Sequence, residues 1–208
     1  MGRNEELYQA ICRGDRKAAL AATEAALAAG SDVEELLTGS LIPAMKNVGD
    51  EFACGEAFVP EMLVAARAMQ ACLDLIQPSL QKAGHVSLGK VCIGTVQGDL
   101  HDIGKNLVAM MLRGTGYEVD DLGVNCPPEK FKAAVEQGAR VVCCSALLTT
   151  TMPAMKGVVE AVKALDPKVK VVVGGAPVTR EYADQIGADG YGASASDATR
   201  VVERLLAG

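Results

Sequence analysis

The sequence is poor in aromatic side chains and in histidine. Of its 208 residues, only 3% are aromatic, none is Trp and two are His. A protein that binds single-stranded nucleic acid by stacking bases on aromatic rings is therefore nearly excluded. The core must be built from aliphatic side chains and Met, which a 50% hydrophobic composition supplies. Because only 22% of the residues are charged, the composition predicts a globular protein and not a disordered chain.

Long apolar runs and closely spaced cysteine pairs are also lacking. The longest apolar stretches are short, as at residues 141–144, and the first residues form no apolar leader, so neither a transmembrane helix nor a signal peptide is predicted. None of the seven cysteines stands in Cys-x-x-Cys spacing, which disfavours a disulfide framework or a zinc site. We therefore expect reduced, mostly buried thiols and a cytoplasmic location.

Charge and residue pattern divide the chain in two. Residues 1–85 hold 7 basic and 12 acidic side chains, so this half offers no face for DNA phosphates. It is rich in Ala, and its apolar residues recur at helical spacing, with Pro43 expected to kink or divide the third run. The pattern predicts a helical bundle over residues 1–84, a linker at residues 85–89 and a second domain over residues 90–208.

The second half alternates short β-branched runs with helical stretches. Strands are predicted at residues 91–96, 117–122, 141–146, 169–173 and 190–193, and helices begin near residues 104, 128, 151, 179 and 196. Five such units predict an α/β domain with a flavodoxin-like or Rossmann-like parallel sheet, order 2-1-3-4-5, and helices on both faces. A ligand is expected beyond the carboxyl ends of the strands, near the first and third.

The loops at those ends carry distinctive residues. His101 follows the first strand, and Asp99, two positions earlier, can accept a hydrogen bond from the ring nitrogen that does not bind a metal. Gly174 and Gly175 follow the fourth strand and allow close backbone approach. A metal held by protein alone needs three or four ligands, which these loops lack. Any metal is therefore expected to arrive already coordinated, as in a macrocycle with one open axial position.

The spacing of these residues resembles a known signature. Asp99-x-His101-x-x-Gly104 is followed after 40 residues by Ser145-x-Leu147, and after 26 more by Gly174-Gly175. This pattern is similar to the cobalamin-binding signature of methionine synthase and the corrinoid methyl-carrier proteins. Residues 48–52 and 58–62 also look like the helical cap of those families, so the resemblance covers nearly the whole chain.

The resemblance implies a corrinoid bound with its own base displaced by histidine. His101 would be the lower axial ligand of cobalt and Asp99 its hydrogen-bond partner, while the two adjacent glycines would make room for the dimethylbenzimidazole tail. The residues implied in cofactor binding are Gly98, Asp99, Leu100, His101, Asp102, Gly104, Ser145, Leu147, Thr149, Gly174, Gly175 and Ala195, with Phe58 and Met62 over the upper corrin face. Met62 fits equally well as a core residue of the bundle.

The implied function is methyl transfer in one-carbon metabolism. Cobalt in the bound cobalamin would accept a methyl group from a substrate:corrinoid methyltransferase, with methylcobalamin present during turnover. A second methyltransferase, acting on tetrahydrofolate or a thiol such as coenzyme M, would receive it, and a reductive activase would restore inactive cobalt. The chain would be a non-autonomous carrier subunit, with residues 81–89 as the hinge of its cap. Methanol, methylamines, betaines and methoxylated aromatics remain possible methyl donors.

Other functional classes fit the sequence less well. A corrinoid-dependent sensor or regulator would need a DNA-binding module, for which residues 1–85 are too short and too acidic. The B12 subunit of a radical mutase would carry adenosylcobalamin and normally needs no helical cap. A phospho-receiver domain would need a phosphorylatable Asp after the third strand, where Ser145 stands.

Overall fold

The computed structural model describes residues 3–82 and 88–207, except for the side chains of residues 81 and 82. The described residues form two compact units: residues 3–82 with residues 113–116, and residues 88–112 with residues 117–207. The sequence pattern did not predict that residues 113–116 group with the first unit. Most of the proposed linker and hinge lies outside the described residues, and both stay predictions.

The first unit is built from helices, as predicted. They are α1 (Glu5–Cys12), α2 (Arg16–Ala28), α3 (Val33–Leu36), α4 (Ile42–Cys54) and α5 (Val59–Lys82). Asn4, Asp15 and Asp32 begin the first three, because each side chain accepts a hydrogen bond from a backbone N–H of the first turn. Gly55 ends α4 in the left-handed conformation, with φ of 77°.

The division expected at Pro43 occurs just before it. Residues 37–41 form one turn of π-helix between α3 and α4. Pro43 itself lies in the first turn of α4, directly after the π-helical turn. The helical path therefore continues through this segment with a local change of hydrogen-bond register.

The second unit contains a five-stranded parallel sheet. Its strands are β1 (Lys90–Thr95), β2 (Glu118–Asp121), β3 (Val141–Ser145), β4 (Lys170–Gly174) and β5 (Gly190–Gly192), in the order β2-β1-β3-β4-β5. The helices are α6 (Ile103–Gly114), α7 (Pro128–Glu136), α8 (Pro153–Leu165), α9 (Arg180–Gln185) and α10 (Ala195–Ala207). The predicted fold class and strand order are confirmed.

Burial of the central strands on both faces explains their continuous hydrophobicity. One core contains Val142 and Phe131, and the other contains Val141 and Leu112, so neighbouring residues of β3 enter different cores. The strand cysteines share this environment, and burial raises the pKa of the Cys143 thiol to about 12. All seven cysteines are free thiols. Within residues 3–82 and 88–207, no helix is both long and apolar enough to span a membrane.

Candidate functional site

Three loops lie at the carboxyl edge of the sheet. They follow β1 (residues 96–102), β3 (residues 146–152) and β4 (residues 175–179), and these three strands are neighbours. Backbone hydrogen bonds continue just beyond the strands: Val96 N–H donates to the Ser145 carbonyl at 3.0 Å, and Ala146 N–H donates to the Gly174 carbonyl at 3.2 Å. The sheet topology therefore brings together loops that are far apart in sequence.

Asp99 joins the first two of these loops. Its side chain is fully buried, at 0% exposure. Oδ1 accepts a hydrogen bond from the His101 backbone N–H at 3.0 Å and lies 2.7 Å from Nδ1 of the His101 ring. Oδ2 accepts from the Leu147 backbone N–H at 2.8 Å and from the Thr151 hydroxyl at 2.7 Å. Each carboxylate oxygen thus serves one loop, and Asp99 fixes the two loops to each other.

These hydrogen bonds keep Asp99 ionised. Burial by itself raises the pKa of the carboxyl, but the donors on His101, Leu147 and Thr151 outweigh it and hold the pKa well below its usual range. An ionised carboxylate can only accept, so the proton of a neutral His101 ring is assigned to Nδ1. Nε2 then keeps its free electron pair, on a side chain that is 50% exposed. The pair presents one nitrogen suited to ligate a metal.

Thr151 is a site residue that sequence reasoning missed. Three consecutive threonines occupy positions 149–151, and the sequence-based prediction selected Thr149. Thr149 is exposed, whereas the hydroxyl of Thr151 donates to Asp99. The choice depends on a turn in which the Thr151 N–H donates to the Leu148 carbonyl at 3.0 Å. Sequence marks the run of hydroxyls, but this turn decides which one faces the carboxylate.

Apolar side chains on these two loops and at the first residue of α6 are unusually exposed. Leu100 and Ile103 are 70% and 74% exposed, and Leu147 and Leu148 are each 43% exposed. Leu100 and Leu147 belong to the predicted set, while Ile103 and Leu148 were not selected. Exposed aliphatic groups beside a ligating imidazole suit a large ring with a metal at its centre. The side chains present therefore fit a corrinoid.

Gly104 supports the same fit. It lies in the first turn of α6, and a Cβ built on it would meet no atom within 4 Å. Its φ also lies outside the left-handed region that favours glycine. Because neither the backbone conformation nor packing requires glycine here, the fold gives no reason for its position. A group bound over the first turn of α6 would supply that reason.

Replacing Gly104 by Ala should raise the stability of the free protein and lower its affinity for cobalamin. In the free protein, Gly104→Ala is expected to raise the free energy of unfolding by about 0.5 kcal/mol, because Ala loses less conformational entropy in a helix. Cobalamin affinity should fall about tenfold or more, since the new methyl group occupies space the ring needs. Urea unfolding and equilibrium binding would measure the two effects.

The matched control for this change is Gly157→Ala, within α8. Its added Cβ would make only an ordinary contact, 3.7 Å from Pro128. Gly157→Ala should stabilise the free protein similarly and leave cobalamin affinity unchanged. Equal cobalamin affinities for the two variants would contradict a bound group above Gly104.

The structure requires glycine at positions 174 and 175 for a different reason from the one that the sequence suggested. A Cβ on Gly175 would lie 1.9 Å from the Ala146 carbonyl oxygen, and its φ is 131°. A Cβ on Gly174 would lie 2.8 Å from the Gly192 carbonyl oxygen. Both glycines therefore admit neighbouring backbone, and their first role is in the sheet edge itself. That they also make room for a corrinoid tail remains a proposal.

The other predicted residues occupy varied positions. Gly98 and Asp102 lie in the β1–α6 loop, and Ser145 ends β3 in register with Gly174 of β4. Ala195, expected in the loop after β5, is instead the first residue of α10. In the helical unit, Phe58 is 67% exposed whereas Met62 is only 1% exposed. Phe58 is thus accessible in the way a cofactor contact requires, and Met62 is a buried side chain.

Comparison with protein families gives matches across both units. Two family models, each described as a B12 binding domain, match residues 89–200 and residues 3–77. The first alone covers more than half of the 208 residues. The chain belongs to the B12-binding domain family. The resemblance based on Asp99, His101 and the glycines is therefore confirmed at the level of the family.

Several relatives of this B12-binding protein are corrinoid proteins of Methanosarcina species. Trimethylamine corrinoid protein 1 of Methanosarcina acetivorans is 42% identical over 202 residues, which are 95% of this chain and 94% of the relative. Dimethylamine corrinoid protein 1 of Methanosarcina mazei is 39% identical over 208 residues, covering 98% and 96%. Corrinoid binding, predicted from the signature, is thus confirmed for this B12-binding protein.

Solved structures agree with this assignment. The methanol:cobalamin methyltransferase complex MtaBC from Methanosarcina barkeri contains a chain with a TM-score of 0.89 and 31% identity, covering 99% of this chain and 80% of that one. A cobalamin-binding protein from Desulfitobacterium hafniense gives a TM-score of 0.79 at 30% identity, covering 97% of each chain. The helical unit and the α/β unit therefore occur together in other cobalamin proteins.

Proposed function

We propose that this B12-binding protein is the methyl-carrier subunit of a methylamine:corrinoid methyltransferase system. The observation that carries the proposal is the Asp99–His101 pair, which presents a single ligating nitrogen among exposed apolar side chains. The substrate class rests on relatives named for trimethylamine and dimethylamine, which share 39% to 43% identity with this chain. The chain matched in the methanol complex shares 31%.

Each site residue has a distinct part in this proposal. His101 would hold cobalt through Nε2, while Asp99 holds Nδ1 and fixes both the tautomer and the direction of the ring. Leu100 and Leu147 would cover the lower face of the corrin ring and exclude water from it. Ser145, Leu147 and Thr149 would line the slot for the dimethylbenzimidazole tail, and Phe58 stays a proposed contact of the upper corrin face. A bound corrinoid supplies the cobalt centre that takes up a methyl group and gives it to an acceptor.

The proposed partners follow from the steps that a methyl carrier needs. In the part of the α/β unit that the structure describes, two cores lie against the sheet, and the Asp99–His101 pair at its carboxyl edge would hold the cofactor. A methylamine:corrinoid methyltransferase would load the protein, and a methyltransferase acting on tetrahydrofolate or a thiol would unload it. A reductive activase would return oxidised cobalt to the active state. The sensor and mutase alternatives gain no support from the named relatives.

The deciding experiment is reconstitution with hydroxocobalamin under reducing conditions. The loaded protein is mixed with a trimethylamine:corrinoid or a dimethylamine:corrinoid methyltransferase, or with a methanol:corrinoid methyltransferase as control. We expect amine-dependent methylation, detected by a change in the visible spectrum and by loss of the amine, and little methylation from methanol. Methylation from methanol alone would contradict the proposed substrate class. No methylation from any donor would contradict the carrier function.

Replacing the ligand tests the site directly. His101→Ala is expected to retain some cobalamin but to show the absorption spectrum of cobalamin without an axial base, because no other nitrogen has been assigned to cobalt. His85→Ala is the matched control, since it removes the only other histidine of the chain. A His101→Ala spectrum that matches the wild-type one would show that the ligand assignment is wrong.

A further inference from the structure

The direction of the His101 ring depends on the backbone of the loop that carries it. His101 lies between β1 and α6, and its carbonyl accepts a hydrogen bond from the Thr95 hydroxyl at 2.8 Å. Asp99 holds the ring, but Asp99 belongs to the same short loop. Leu147 and Thr151 hold Asp99 from the side of the loop after β3, and contacts on the other side would help to keep the ring in one direction. Residues 121–126, which run from the last residue of β2 into the following loop, contact both ends of the His101 loop.

Asn125 holds the first end of the loop. Its side-chain Oδ1 accepts a hydrogen bond from Gly98 N–H at 2.8 Å, and its own N–H donates to the Asp99 carbonyl at 3.0 Å. Among residues 3–82 and 88–207, Asn125 is the one non-glycine residue with a positive φ, at 51°. Asn tolerates this conformation better than most residues, so its geometry permits both hydrogen bonds.

An ion pair between the buried Lys105 and the more exposed Asp121 holds the second end. Lys105, in the first turn of α6, is 3% exposed. Its Nζ lies 2.6 Å from Asp121 Oδ2 and 2.7 Å from Asn106 Oδ1. Asp121 ends β2, and its Oδ1 also accepts from the Gly123 N–H at 2.9 Å. A buried ammonium group that loses its partner is strongly destabilising, so this pair ties the start of α6 to the end of β2.

Backbone hydrogen bonds connect the two holding points. Thr95 N–H donates to the Gly123 carbonyl at 3.0 Å, and Cys126 N–H donates to the Thr95 carbonyl at 2.9 Å. The segment from Asp121 to Cys126 is therefore hydrogen-bonded along the end of β1, next to the His101 loop that its side chains contact. This places the segment on the β2 side of the His101 loop, opposite the loop after β3 whose Thr151 donates to Asp99.

We infer that Asn125 and the Lys105–Asp121 pair are positioning residues for axial ligation by His101. The inference rests on the proposed ligation of cobalt by this histidine. Asn125 fixes the backbone before His101, and the ion pair fixes the backbone after it. Together they keep Nε2 at the place where it meets cobalt, so that ligation does not have to order the loop.

The test measures ligation and not activity. Protein labelled with 15N-histidine is loaded with cob(II)alamin, freed of unbound cofactor and examined by electron paramagnetic resonance. A two-line splitting reports a histidine nitrogen on cobalt, whereas the cofactor's own 14N base gives three lines. The measured quantity is the pH at which half of the two-line signal is lost. Ring protonation competes with ligation, so weaker ligation moves this midpoint to higher pH.

Asn125→Gly is the informative variant, because glycine keeps the left-handed backbone and removes only the side-chain acceptor. Loss of one such hydrogen bond should weaken ligation about tenfold and raise the midpoint by about one pH unit. Asp166→Ala is the control. It removes a hydrogen bond of the same kind, from the Lys168 N–H at 2.8 Å, in the loop before β4 at the opposite edge. Its midpoint should match that of the wild type.

A second variant covers the case in which Asn125→Gly does not fold. Lys105→Met combined with Asp121→Asn removes both charges, and Asn can still accept from the Gly123 N–H. This double variant should also raise the midpoint. If the wild-type protein gives the two-line signal and a folded variant has the same midpoint as the wild type, the inference is overturned. Absence of that signal in the wild type would instead overturn the proposed ligation.

Discussion

Replacing Gly175 by Ala or Val should lower the free energy of unfolding by about 3 kcal/mol or more, even without cofactor. The added Cβ would lie 1.9 Å from the carbonyl oxygen and 2.9 Å from the carbonyl carbon of Ala146. Both are backbone atoms next to β3, so no side chain can move aside. The φ of 131° adds strain for any residue with a Cβ. Urea unfolding of the cofactor-free protein would measure the effect.

This expectation replaces a simpler one drawn from the sequence. If Gly175 only made room for a corrinoid tail, a larger residue would abolish cofactor loading and leave the free protein intact. Gly187→Ala is the matched control, since its φ is 76° but nothing lies within 4 Å of the added Cβ. It should cost about 1 kcal/mol from backbone strain alone. Equal stability of Gly175→Ala and Gly187→Ala would refute the steric argument.

Asp99→Asn should both destabilise the fold and weaken axial ligation. The two carboxylate oxygens accept from donors on opposite sides, and Asn can offer only one oxygen. Its amide NH₂ must then face either the His101 N–H or the donors at Leu147 and Thr151. We expect a loss of about 3 kcal/mol in unfolding free energy at neutral pH, because the buried charged acceptor is removed and the donors that face the amide NH₂ are left unpaired.

The same change should alter the histidine tautomer. When the amide NH₂ faces the ring, Nδ1 must accept, so the ring proton moves to Nε2 and the electron pair for cobalt is lost. The absorption spectrum of loaded Asp99→Asn should shift toward that of cobalamin without an axial base. If the Asp99→Asn variant has the spectrum and the stability of the wild type, Asp99 does not orient the His101 ring.

The pH dependence of this effect has a definite sign. The pKa of Asp99 in the folded protein lies below the value of about 3.9 expected in the unfolded chain. Its stabilising contribution is therefore fully present above about pH 4 and is lost as the pH falls through the folded value. The stability difference between wild type and Asp99→Asn should be largest at neutral pH and shrink below pH 4. A difference that stays constant across this range would contradict the ionised state.

Thr151→Val provides a graded version of the Asp99 experiment. It removes one donor, the hydroxyl 2.7 Å from Oδ2, and leaves the carboxylate in place. The expected loss is about 1.5 kcal/mol, because a hydrogen bond to a charged group is lost while the other donors remain. Thr150→Val, one residue earlier and exposed, is the control and should change little.

The sequence by itself determined the kind of fold and the kind of chemistry. Short runs, most of them β-branched, alternating with helical stretches predicted the parallel sheet and its order, because the central strands of such a sheet are covered on both faces. Asp99 and His101 were found because they are two positions apart, and local spacing alone brings a carboxylate to the ring. The family resemblance rested on similarly short patterns, each complete within a few residues.

The tertiary structure decided which distant residues complete these patterns. Thr151 and Asn125 come from other loops, and only the pairing of β1 with β3 and β2 brings them to the Asp99–His101 loop. Gly175 and Gly104 look alike in sequence, yet one admits a neighbouring backbone and the other borders open space. Spacing along the chain fixes the geometry within one loop. Contacts between loops depend on strand order, register and turns, and these are not specified by any short stretch of sequence.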